Sequence, residues 1–104
     1  AGGGKLMDVR IIKHPSPATL EILDRRRGSR EPIDLPEIDA IGLCQGKLID
    51  MLVASDIAQK TVGVHVEDIR GSCPQNMILL AIYGETAVVE EAIDTIGKRL
   101  MKKG

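Results

Sequence analysis

Two cysteines, two histidines and one run of three arginines are the residues of this chain whose chemistry extends beyond packing. Thiolates hold zinc or iron–sulfur clusters most often through closely spaced pairs, and Cys44 and Cys73 form no Cys-x-x-Cys pair. Cys44 follows Leu43 in an apolar stretch, where a free thiol behaves as a small core hydrophobe. Cys73 stands in Gly71-Ser72-Cys73-Pro74-Gln75-Asn76, a turn-forming segment in which Pro74 restricts Cys73 to extended conformations and holds its thiol near the tip. A lone cysteine there is either a passive turn residue or a ligand completed from elsewhere. As a nucleophile it lacks a base, because His65 belongs to a separate strand pattern and no ordered triad follows, so an enzyme built on Cys73 ranks last. His65 alternates with Val64 and Val66 and is expected at the surface or an interface, as is His14 beside Pro15. Arg25-Arg26-Arg27 closes a helix, where cations meet the carbonyl end of the dipole. A solvated face is expected for it, with an anion site as the lesser alternative.

The elements that must position these residues follow from periodicity and punctuation. Residues 6–13 alternate Met7, Val9 and Ile11 with Asp8, Arg10 and Ile12, the pattern of a half-buried strand. Ser16 is a cap and Pro17 a first helical residue, which predicts a helix over 17–27 that stops at Gly28. Residues 28–39 hold two prolines and many charges without a period, and read as an irregular connector. A short apolar strand over 40–44 follows, then a helix over 47–61 expected to pack through Leu48, Met51 and Leu52, with Ala58 and Val62 at helical spacing. Val62, Val64 and Val66 alternate with Gly63, His65 and Glu67 in a strand over 62–69. Met77 to Tyr83 is a continuous apolar run, as in a central strand covered on both faces. Gly84-Glu85-Thr86 opens a last helix striped with Val89, Ala92, Ile93, Ile96 and Leu100. The order is βα, connector, βαββα: an α/β (α+β) fold with an antiparallel or mixed sheet and helices packed on it.

Composition narrows the function classes. At 104 residues the chain holds one domain over 6–104 behind a flexible leader, residues 1–5, whose three consecutive glycines disfavour fixed structure. Fourteen basic against fifteen acidic residues supply no positive field, and one Tyr with no Trp or Phe leaves nothing to stack on bases, so nucleic acid is not an expected partner. No apolar run is long enough to span a bilayer, and no signal region is present, so neither membrane nor export is expected. Two cysteines are too few for a disulfide framework, which fits a reducing, cytoplasmic setting.

The segment from Ile41 to Leu100, a strand, a helix, a hairpin with a Gly-rich tip and a second helix, resembles the ferredoxin-like shell-protein domain of bacterial microcompartments. In most members of that family a strand ending in a Pro-containing turn and a short helix come last. Here the matching Val9-Arg10-Ile11-Ile12-Lys13-His14-Pro15 and Ala18-Thr19-Leu20-Glu21-Ile22-Leu23 come first. The resemblance therefore implies a circular permutation, with residues 28–39 joining the ancestral termini, which in compact domains often lie close together. It implies a non-enzymatic shell subunit forming a homohexamer, with Gly71, Ser72, Cys73, Pro74 and Gln75 lining a central pore. The Gly-x-Cys-Pro-Gln sequence is similar to the shell proteins of glycyl-radical propanediol-type compartments, which are associated with an iron–sulfur cluster at the pore.

With one such cysteine per chain, a cluster of the 4Fe–4S type would be shared, Cys73 being supplied by several subunits. Six thiols cannot serve a cluster of about four iron sites equally, so the loops would depart from sixfold symmetry, which Gly71 permits. The cluster would relay electrons or plug the pore, and an apo sample lacking it would be unsurprising. Family members pack hexamers edge to edge with help from a lysine near the end of the first domain helix, for which the resemblance makes Lys60 the nearest candidate. Other shell proteins and encapsulated enzymes are the further partners implied. The alternative from another class is a ferredoxin-like regulatory or ligand-binding module in a smaller oligomer, with a pocket between subunits.

Overall fold

Strands rich in Val, Ile and Leu, separated by Gly and Pro, pair into one sheet in the structure, a computed structural model that describes residues 7–34, 38–71 and 77–100. The elements are β1 (Met7–Lys13), α1 (Pro17–Arg25), β2 (Ala40–Lys47), α2 (Leu48–Gln59), β3 (His65–Ile69), β4 (Met77–Gly84) and α3 (Thr86–Leu100). Strand order is β1-β2-β4-β3, and every neighbouring pair is antiparallel. The fold is therefore α+β, and the mixed-sheet alternative does not apply among the described strands.

The period-2 alternation of each strand divides the sheet into two faces. On the first, Val9 pairs with Cys44, Cys44 with Leu80, and Ile82 with Val66. These side chains meet Met51, Ala54, Ile57 and Ala58 of α2 and Ala92 and Ile96 of α3 in one aliphatic core. The second face carries Ile41, Ala81, Tyr83 and Ile69, covered by Leu20 and Leu23 of α1 and by Ile33 and Ile38 of the connector. The capping of α1 is as expected: Ser16 Oγ accepts from the Thr19 amide at 3.3 Å, with Pro17 at the first turn.

Several boundaries shift for identifiable reasons. β2 runs on to Lys47 because Gln45 and Gly46 are paired on both sides, with Asp8 and Met7 of β1 and with Leu79 and Ile78 of β4. The strand expected over 62–69 begins only at His65. Gly63 takes a φ of +95° and turns the chain there, leaving Val62 90% exposed. α1 ends at Arg25, short of Gly28. The next residues instead join the edge of the sheet, where Arg27 bridges Ile69, the Gly28 amide donates to Asp68 O at 3.0 Å and the Arg70 amide donates to Arg26 O at 2.7 Å. A Cβ on Gly28 would lie 2.7 Å from a carboxylate oxygen of the exposed Asp68, so a larger residue there would turn that side chain aside. The expected packing of α2 through Leu48 and Leu52 is overturned. Met51 is buried as expected, whereas Leu48 and Leu52 face outward, because in a stretch apolar on all sides periodicity does not choose the inward face.

Candidate functional site

β3 and β4 form a hairpin whose last pair is Ile69 with Leu79, and the connection between them holds the segment singled out in the sequence. Gly71 is exposed at its start. Ser72, Cys73, Pro74 and Gln75 lie outside the described residues. The base of the tip is held on both sides: Arg70 is tied to Arg26, and Met77 pairs with Lys47 at the point where β2 gives way to α2. Arg70 and Met77, the start of α2 and the start of β1 thus share one end of the sheet.

The second face carries a buried ionic cluster. Arg27 is only 7% exposed, so the solvated face expected for the arginine run holds for Arg25 and Arg26 and not for Arg27. Its Nε donates to Glu67 Oε2 at 2.6 Å, its Nη1 to Asp24 Oδ1 at 3.3 Å, and its Nη2 to the Glu31 carbonyl. Tyr83 Oη donates to Glu67 Oε2 at 2.6 Å. The hydrogen bond to Glu67 leads the effects that raise the Arg27 pKa. For Glu67 burial pushes upward, but hydrogen bonds from Arg27 and Tyr83 and the Arg27 charge prevail and hold its carboxyl below the usual range. Burial, reinforced by Glu67, raises the Tyr83 phenol. The cluster ties the end of α1 and the connector to the hairpin, so residues 27–31 set where the base of the tip sits. Arg27, Arg30, Arg70, Asp24 and Glu31 line a groove of about 540 Å³ at this point.

The other sequence candidates are dispersed. Cys44 lies in the first core, and burial pushes its thiol up to about 11, which suits packing and not ligation. His65 is on the face opposite Val66, as its alternation implies; its ring stacks on Tyr83 at 5.7 Å between centroids, and Nε2 lies 3.7 Å from Glu67 Oε1. His14 adopts a φ of +51° and places Nδ1 3.4 Å from Asp39 Oδ1. The other Asp39 oxygen accepts from the amide and hydroxyl of Thr86, capping α3. Lys60 caps the far end of α2, exposed, with Nζ 2.8 Å from Asp56 Oδ2. It lines a shallow groove of about 440 Å³ with Thr61, Thr95 and Arg99. Among the described residues no three His, Cys, Asp or Glu side chains are grouped to hold a metal ion.

The described residues form a single antiparallel sheet with two helices on one face and a thin cover on the other. Solved structures identify it further: the chain belongs to the bacterial microcompartment shell proteins. It is 50% identical to the GrpU microcompartment shell protein from Clostridiales bacterium 1_7_47FAA over 88% of this chain and 89% of that one, with a TM-score of 0.67. It is 37% identical to the GrpU shell protein from Pectobacterium wasabiae over 86% of this chain and 98% of that one, with a TM-score of 0.66. Both of those structures are ligand-free. No family model matches the chain, and a search of curated proteins gives no match. Microcompartment shell proteins sit in the bacterial cytoplasm as part of the shell. No described helix is long and apolar enough to cross a membrane.

Proposed function

We propose that this chain is a non-enzymatic wall subunit that closes into a homohexamer, with the β3–β4 tips gathered around a central pore. In this reading Cys73 from several copies holds an iron–sulfur cluster there, and the rings assemble with other shell proteins around encapsulated enzymes. The observation that carries it is the 50% identity to a GrpU shell protein, combined with strands that end at Ile69 and resume at Met77, so that Cys73 falls in the short connection between them. We further read β1 and α1 as the permuted portion of the domain, with residues 28–39 as its connector.

With one such cysteine in each chain, a cluster at the tip would be shared between copies. Cys44 is enclosed in the core, and among the described residues no three His, Cys, Asp or Glu side chains are grouped to hold a metal ion. When bound, such a cluster supplies one-electron transfer. The chain's own contribution is positional: Pro74 restrains Cys73, Gly71 allows copies of the loop to differ, and the Arg27–Glu67–Tyr83 cluster steadies the strands behind them. Anaerobic reconstitution with iron and sulfide tests this. The wild type is expected to turn brown with charge-transfer absorbance and Cys73→Ser to stay colourless; equal behaviour of the two would remove the cluster while leaving the wall role standing.

A further inference from the structure

We draw no further inference here: the strongest candidate, the exposed apolar ridge of Leu48, Ile49, Leu52 and Val53 on the first two turns of α2, is an unpartnered helix face, and nothing in the structure shows what covers it.

Discussion

The two faces of the sheet are built on different principles. The first is closed by aliphatic side chains of α2 and α3, with Met51, Ile82, Ile96 and Cys44 almost wholly removed from water. The second is covered by one short helix and a connector, secured by a buried ion pair in place of a deep apolar layer, and open at one corner. Burial of the first kind is non-directional and gives stability. A buried pair is directional and fixes a position, at a desolvation cost that makes it a weak source of net stability. The first face thus stabilises the fold, and the second fixes where the edge of the sheet lies.

Variants that break this comparison should rank accordingly. Glu67→Ala strands the Arg27 charge in a site where it is only 7% exposed, and the expected loss is about 4 kcal/mol in chemical denaturation. Removing the charge together with its partner, as Arg27→Met with Glu67→Leu, should recover much of that loss, which would show that the pair specifies geometry more than it stabilises. Ile82→Ala, on the first face, leaves a cavity between the sheet and the helices and should cost about 3 kcal/mol, with no such rescue by a second substitution. Ser16→Ala removes the cap of α1 and should cost about 1 kcal/mol.

The ion pair also sets an acid response. The Glu67 carboxyl is held lower in the folded chain than in the unfolded one. Its contribution is therefore fully present above the ordinary carboxylate pKa of about 4.3 and is lost as pH falls through the folded value. Glu67→Gln should flatten the fall in stability below about pH 4 while leaving the neutral-pH profile parallel to wild type, as read from thermal midpoints across pH.

The sequence reading was most secure where one physical signal acted alone. Alternation in β1, the apolar run of β4 and the stripe of α3 each stand as expected, because an element with one buried side writes its period into the chain and a central strand with two is apolar throughout. It was weakest where two demands met. Leu48 and Leu52 belong to a helix that is apolar both inward and outward, so their outward placement follows from the sheet and not from spacing. Arg27 reads as the end of a cationic helix terminus, and only the approach of β3 shows its partner, Glu67, which is remote in sequence. A charged residue amid the alternating valines, together with the single tyrosine, was the one available trace of that cluster. The segment carrying Cys73 lies outside the described residues, and the strands either side of it pair as anticipated.

The most direct test is native mass spectrometry of the wild-type protein purified without oxygen. Six chains together with the additional mass of one iron–sulfur cluster are predicted, the cluster mass disappearing in Cys73→Ser while the six chains remain together. A single chain, or a dimer with no pore to line, would contradict the account at its centre.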